Sequence, residues 1–242
     1  EDSSRADPDY RLECFSTAAD AGAKIVSYAD TVGYSVPDDI ENDIQNIKNN
    51  IRNDVGIGIH CHNDIGLAVA NSLAAVKSGA CEIQCTVNGV GERAGNAALE
   101  EVVMALIVRS DHYSAHSYVD TRLLKSTSEM LIEYTGLNLS INKPVVGDNA
   151  FSHCSGIHQH GIIENPSTYE IMSPQDVGFD DRSVLIGRHS GKHGILYTLN
   201  KLGYYPDPVI LKKIIEIIKN NVKGNTILDS NQIVDIYKKA QN

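Results

Sequence analysis

The sequence predicts an α/β fold, strand–helix units in a parallel sheet followed by a mainly helical part. Three observations predict it. Short apolar runs alternate with amphipathic stretches over residues 24–108, at a spacing of roughly 26 to 32 residues, the size of one βα unit. Polar loops follow the apolar runs, and short glycine turns follow the helical stretches. After about Ser110 the alternation gives way to helices rich in Leu and Ile. A closed barrel of eight such units takes roughly 250 residues. Here about three complete units are present, and Glu1-Asp2 reads as the end of a fourth strand, so the expectation is half a barrel.

Taken in order, helical periodicity covers Tyr10 to Ala21, and Lys24 to Ala29 is a strand. Pro37 and Asp38 open a helix with Ile40, Ile44, Ile47 and Ile51 on one face. Val55 to Cys61 is the next strand. Asp64 is the expected cap of a helix from Ile65 to Lys77 that stops at Gly79. A strand over Cys81 to Val87 leads through a glycine-rich loop to a helix from about Asn96 to Val108. Beyond it lie a helix over Leu123 to Tyr134, two Gly/His segments (Asn142 to Gly161 and Gly187 to Gly194), and closing helices at about 191–202, 207–221 and 229–240. The expected domains are the half-barrel over 1–110 and two small subdomains over 111–180 and 181–242.

With 242 residues, 42% of them hydrophobic, the chain can bury a core. A net charge of −10 argues against non-specific nucleic-acid binding, which needs a cationic footprint. No apolar stretch approaches the roughly 18 residues of a membrane span, so no membrane partner is expected. The polar start Glu1-Asp2-Ser3-Ser4-Arg5 is unlike a signal peptide. Five cysteines, an odd number without a CxxC pair, fit a reduced intracellular protein and neither a disulfide framework nor a zinc ribbon.

Among residues that could carry chemistry, His60 and His62 stand out. They are two apart at the end of a strand, so both imidazoles leave the same face. In a parallel barrel that end carries the active site. Two neutral imidazoles suit zinc, manganese or cobalt, with oxygen ligands completing the shell; a hydrogen-bonded pair at a strand–loop junction explains them equally well. The loop Asn88 to Asn96 is either a structural turn or a seat for an anion, and Asn96 has an amide oxygen that could approach a metal. Thr31 can donate to a carboxylate or simply close a turn. Glu1 would set a carboxylate over the same mouth. His153, His158 and His160 read as surface residues, a metal tract or acid–base groups.

Five segments together resemble the 2-isopropylmalate synthase family, within the metal-dependent barrel synthases and lyases that include homocitrate and citramalate synthases. They are Tyr28–Pro37 (YADTVGYSVP), His60–Ala80 (HCHNDIGLAVANSLAAVKSGA), Thr86–Leu106 (TVNGVGERAGNAALEEVVMAL), Gly147–Gly178 (GDNAFSHCSGIHQHGIIENPSTYEIMSPQDVG) and Gly187–Gly194 (GRHSGKHG). The resemblance runs from Glu1 to about Gly203, in the family's order and spacing. It implies the C-terminal half of a (β/α)8 TIM barrel followed by small, mainly helical subdomains. The implied activity is an acyltransferase reaction of leucine biosynthesis, a Claisen-type condensation of acetyl-CoA with 2-oxoisovalerate that releases CoA. A divalent metal (Mn, Zn, Mg or Co) is implied on His60, His62 and Asn96, with K+ as an activator. Thr31 matches a contact to the substrate carboxylate and Glu1 a glutamate of the mouth. His158 and Tyr169 match residues that reach the partner's barrel in a homodimer with a swapped subdomain. Proton transfer from the acetyl methyl group falls to His158 with Glu1.

On this resemblance the first four strands, with one metal ligand and most of the oxo-acid pocket, are outside the sequence, as is a leucine-sensing domain. Two sheet edges would then be open. The Gly156–Gly161 and Asn165–Ile171 segments favour isopropylmalate synthase over the nitrogen-fixation type of homocitrate synthase, and citramalate synthase is a third candidate. Gly91-Glu92-Arg93, where a hydroxymethylglutaryl-CoA lyase carries a cysteine loop, counts against that class. The reading of another class is a catalytically incomplete fragment that binds metal or dimerises. The expected location is the cytoplasm, or the plastid of a plant or alga.

Overall fold

The computed structural model describes residues 1–224 and 226–241. The chain divides into two compact units, Glu1–Ser140 with Pro144–Val146, and Ile141–Lys143 with Gly147–Asn242. Among the described residues, no helix is long and apolar enough to cross a membrane.

The first unit contains α1 (Pro8–Asp20), β1 (Ile25–Asp30), α2 (Pro37–Asn50), β2 (Gly56–Cys61), α3 (Ala68–Ser78), β3 (Glu82–Gln84), α4 (Leu99–Val108), the short α5 (Ser110–Tyr113) and α6 (Leu124–Thr135). The strands form a parallel sheet in the order β1-β2-β3. Ile25 pairs with Gly56 through to Asp30 with Cys61, and Gly58 pairs with Glu82 through to His60 with Gln84. All three strands therefore end on one side. Helices cover the sheet because its central strand is apolar on both faces, with Ile57, Gly58 and Ile59 buried in succession. The α2 stripe supplies Ile40, Ile44 and Ile47 to this core, where they meet Tyr28, Ile59, Leu73 and Val102.

Three local expectations change. The helix after β2 begins at Ala68, not Ile65. Asp64 is not its cap; the Ala68 N–H is taken by Asn63 Oδ1 at 3.2 Å, and Asp64 is paired elsewhere. Its end is as expected, since Gly79 adopts φ 110°, a left-handed conformation natural to glycine. The third strand spans Glu82–Gln84, shorter than Cys81 to Val87. Glu1-Asp2 is not in a strand; Asp2 has φ 53°, and the segment meets β1 through the Ser3 N–H on the Ala29 carbonyl at 2.9 Å.

The second unit has β4 (Ser152–His153), α7 (Gly156–Glu164), β5 (Ser183–Val184), β6 (Ile186–Gly187), α8 (Lys192–Lys201), α9 (Pro208–Asn221), β7 (Ile227–Leu228) and α10 (Ser230–Gln241). The closing three helices match the expected stretches. Their apolar faces bury Ile195, Leu199, Ile214, Ile218 and Ile233 in a second core. The helix α7 was not anticipated, because its glycines and histidines look like a loop. It is fixed by Gln159, fully buried, whose Nε2 donates to the His153 and Leu185 carbonyls at 3.0 and 2.8 Å.

Candidate metal and substrate site at the strand ends

The parallel register puts the loops after β1, β2 and β3 on one side of the sheet, where the site residues of the first unit collect. The loop after β3 folds back along the end of β2. The Asn63 N–H donates to the Gly95 carbonyl at 2.9 Å, and the Ala97 N–H donates to the Cys61 carbonyl at 3.1 Å. This lays Asn96 opposite His62 as a bridge partner. The fold-back needs glycine: Gly95 has φ 91°, and a Cβ there would overlap the Gly89 carbonyl.

His60 and His62 leave β2 as their spacing predicts. Their Nε2 atoms are 3.0 Å apart, with ring centroids 4.9 Å apart. Burial first, and the neighbouring His62 second, push His60 below the usual imidazole range, while Glu1 and the Gln84 backbone act in the opposite sense. Two facing imidazole nitrogens at this separation suit a single ion with ligand distances of about 2.0–2.2 Å. Asn96 Oδ1 is buried with no hydrogen-bond partner, as is His60 Nδ1. An amide oxygen without a partner, on the residue opposite His62, is a donor type that suits a divalent metal. Among the described residues no group of three or more His, Cys, Asp or Glu is arranged to hold one.

At the end of β1, the Thr31 hydroxyl donates to Glu1 Oε2 at 3.0 Å and accepts the Asp2 N–H at 2.7 Å. The pair expected to face a substrate thus faces each other. Asp30 is fully buried and spent on the turn, accepting the Tyr34 N–H at 3.0 Å. The sequence reading missed Arg93. Its Nε and Nη2 meet Asp64 Oδ1 and Oδ2 at 2.7 and 3.0 Å, and Nη2 also touches the Thr31 carbonyl and His62 Nδ1, each at 2.7 Å. One guanidinium thereby ties three loops. Asp64 is held below the usual carboxylate range chiefly by its hydrogen bonds from Arg93. The only signal in the sequence was a charged pair, Glu92-Arg93, inside a glycine-rich loop. The same loop forms one wall of a cavity of about 350 Å³, with Leu131, Ile132 and Leu139 on the other.

In the second unit His158 lies beside Tyr169, with ring centroids 4.4 Å apart. His160 stacks on His193 at 4.0 Å. His153 is taken up by structure, its Nε2 3.3 Å from Glu170 Oε1, which also binds Arg182.

Residues 1–131, more than half of the chain, match the HMGL-like family, and the chain belongs to it. Residues 145–225 match the homocitrate synthase post-HMGL domain-like family. The chain is similar to 2-isopropylmalate synthases: it is 48% identical over 210 residues to 2-isopropylmalate synthase 1 of Caldanaerobacter subterraneus subsp. tengcongensis, covering 86% of this chain and 53% of that protein. To the 2-isopropylmalate synthase of Aquifex aeolicus it is 46% identical over 222 residues, covering 90% of this chain and 43% of that one. It thus spans about half the length or less of the curated relatives it matches. Among solved structures, a Bacillus subtilis HMG-CoA lyase aligns with 22% identity and a TM-score of 0.49, over 55% of this chain and 45% of that one.

Proposed function

We propose that this chain is the C-terminal half of a (β/α)8 barrel and the following helical subdomains of a 2-isopropylmalate synthase, condensing acetyl-CoA with 2-oxoisovalerate and releasing CoA. The observation that carries the reading is the facing imidazole pair, His60 and His62, at the end of a parallel strand, in a chain 48% identical over 210 residues to a protein of that name. We assign residues 1–110 to the barrel part, with subdomains over 111–180 and 181–242; the two family matches meet further along, between 131 and 145. The proposed location is the cytoplasm, or a plastid.

His60, His62 and Asn96 would hold a divalent metal (Mn, Zn, Mg or Co). Such an ion polarises the ketone of a chelated 2-oxo acid toward attack. The protein groups do the rest. Thr31, whose hydroxyl now donates to Glu1, turns that hydrogen bond onto the substrate carboxylate. His158 takes a proton from the acetyl methyl group, with Glu1 aiding the transfer and Tyr169 against the imidazole. We assign His158 and Tyr169 to the barrel of the second subunit of a homodimer. The methyl carbon bonds to the ketone carbon as the C=O π bond opens and its oxygen takes up a proton, and water then cleaves the thioester C–S bond, leaving a carboxylate and the free CoA thiol. K+ is assigned as an activator.

The test is CoA thiol release with acetyl-CoA, a divalent metal and, in turn, 2-oxoisovalerate, pyruvate and 2-oxoglutarate. The free cysteines of the chain require a protein-only blank. Fastest release with 2-oxoisovalerate supports the reading. Preference for 2-oxoglutarate supports homocitrate synthase; preference for pyruvate supports citramalate synthase. No release from folded, metal-binding protein supports the incomplete fragment.

A further inference from the structure

The three loops at the strand ends are not held alike. Backbone hydrogen bonds join the loop after β2 to the loop after β3, from the Asn63 N–H to the Gly95 carbonyl at 2.9 Å and from the Ala97 N–H to the Cys61 carbonyl at 3.1 Å. His62 and Asn96 are thereby fixed against each other through the backbone. The loop after β1, which carries Thr31, has no such ladder to the loop after β3. Among the described residues one hydrogen bond connects those two loops, from Arg93 Nη2 to the Thr31 carbonyl at 2.7 Å. The same guanidinium reaches the loop after β2 through Nε, which donates to Asp64 Oδ1 at 2.7 Å. Its planar fork fixes direction as well as distance. Arg93 also stands at φ 54°, a left-handed backbone that glycine adopts at lower cost. Glycine there would have no side chain to reach Asp64 or Thr31, and a strained residue held in place at a site points to a function for its side chain.

We propose that Arg93 is a positioning residue: braced on Asp64, it sets the distance between Thr31 and the group formed by His60, His62 and Asn96. The proposal rests on the reading above, in which Thr31 meets the carboxylate of a 2-oxo acid chelated at that group. A substrate held at both ends binds well only when the two ends of the site are spaced to match it. The brace grips the Thr31 backbone carbonyl and leaves the hydroxyl, now on Glu1 Oε2 at 3.0 Å, free to turn. Further along, Ser35 is fixed from α3, its carbonyl accepting Asn71 Nδ2 at 2.7 Å. The stretch that depends on Arg93 is therefore 31–34, with Gly33 inside it at φ 59°. The Arg93 and Asp64 side chains are 45% and 25% exposed, and an ion pair so open to water adds little to overall stability. The pair supplies position.

The test is equilibrium binding to the full chain, of Co2+ by its visible absorption and of 2-oxoisovalerate to the Co2+-loaded chain by calorimetry. It compares the natural protein with Arg93→Met, Arg93→Lys and Asp64→Ala. All three variants should weaken the oxo acid by about tenfold or more and leave Co2+ affinity within about threefold. Charge alone predicts otherwise. Arg93→Lys would then bind the oxo acid as the natural chain does, and Asp64→Ala, short of a negative charge, would bind it more tightly; either result overturns the brace. So does a loss of Co2+ affinity in step with the loss of oxo acid, since that is a general loosening of the site. Amide hydrogen exchange supplies a readout that needs no ligand. The Gly33 and Tyr34 N–H groups, on the Asp30 carbonyl at 3.1 Å and Oδ1 at 3.0 Å, should exchange faster in Arg93→Met, while those of Asn63 and Ala97 keep their rates. Unchanged rates at Gly33 and Tyr34 overturn the brace alone. A natural chain that takes up no Co2+, or takes it up and binds no oxo acid, overturns the metal or substrate reading and with it the role of the brace in binding, and the exchange rates still decide whether Arg93 holds the loop.

Discussion

Asp43→Ala removes the acceptor at the centre of a buried polar cluster. Arg11 is 5% exposed, and its Nη1 donates to Asp43 Oδ2 at 2.8 Å and to the Ser3 carbonyl at 2.6 Å, while its Nη2 donates to Asp43 Oδ1. The Tyr28 hydroxyl adds a bond to Asp43 Oδ2 at 2.7 Å. Breaking a buried pair by removing one partner costs about 3–5 kcal/mol, because the other charge stays buried. Asp43 is 24% exposed and Arg11 keeps the Ser3 carbonyl, so water and one acceptor reduce the guanidinium share to about 3 kcal/mol. The Tyr28 hydroxyl left without its acceptor adds about 1 kcal/mol. A loss near 4 kcal/mol is a large part of the 5–15 kcal/mol of a typical domain. Urea unfolding followed by circular dichroism measures it on the transition of the first unit. The double variant Arg11→Met with Asp43→Leu, which removes both charges, should unfold within about 2 kcal/mol of the natural chain. A loss below about 1 kcal/mol in Asp43→Ala, or a double variant as weak as the single one, would refute the reasoning. The cluster also reaches the candidate site. Arg11 holds Ser3, whose N–H pairs with the Ala29 carbonyl at 2.9 Å, and this anchors Glu1 beside Thr31.

Burial first, and the Asp43 acceptor second, raise the Tyr28 phenol above its ordinary value. The unfolded chain then releases this proton from about pH 10 upward while the folded chain keeps it, so stability holds below that pH and falls above it, by up to about 1.4 kcal/mol per pH unit. Urea midpoints across that range should show Tyr28→Phe losing this part of the slope; an unchanged slope counts against it. Gly33 has φ 59°, and a Cβ there would sit 2.7 Å from Asp64 N and 2.9 Å from the His62 carbonyl oxygen. Gly33→Ala should therefore cost about 2–3 kcal/mol in urea unfolding and weaken metal uptake, and natural stability with natural uptake would show the contact to be slack. Burial pushes the Cys61 thiol up to about 12, so a thiol reagent at neutral pH should label exposed Cys14 and Cys81 first. Early labelling of Cys61, read by peptide mass mapping, would mean that β2 is not enclosed.

What was legible in the sequence was set locally. Ile40, Ile44 and Ile47 mark the buried face of α2 because a 3.6-residue period allows only one apolar stripe. His60 and His62 share a side because strand residues alternate. The start of α3 was not legible. Asp64 has the composition of a cap, but its carboxylate is claimed by Arg93, 29 residues further on. No window around Asp64 contains that competitor. The helix α7 fails for a related reason. Its local preference is poor, and Gln159 secures it through the Leu185 carbonyl, 26 residues away. The direction of the Thr31 hydroxyl likewise depended on Glu1, 30 residues distant in sequence.

The two polar clusters of the first unit differ in a way that separates fold from function. Around Arg11 the charges are opposite, Arg11 buried and Asp43 partly exposed, and the bonds of Nη1 and Nη2 stay within the chain, although Arg11 Nε is itself buried without a partner. Such a cluster stabilises one arrangement and has little to offer a ligand. At the strand ends, the Asn96 amide oxygen has no partner, two imidazoles face each other, and a carboxylate occupies the Thr31 hydroxyl. A buried polar group without a partner costs free energy. Under the proposed function these groups, at the side of a parallel sheet where its strands terminate, would serve a cation and an anionic substrate. Arg93 gives that end its cohesion, since its guanidinium meets His62, Asp64 and the Thr31 carbonyl together and so ties the loops after all three strands.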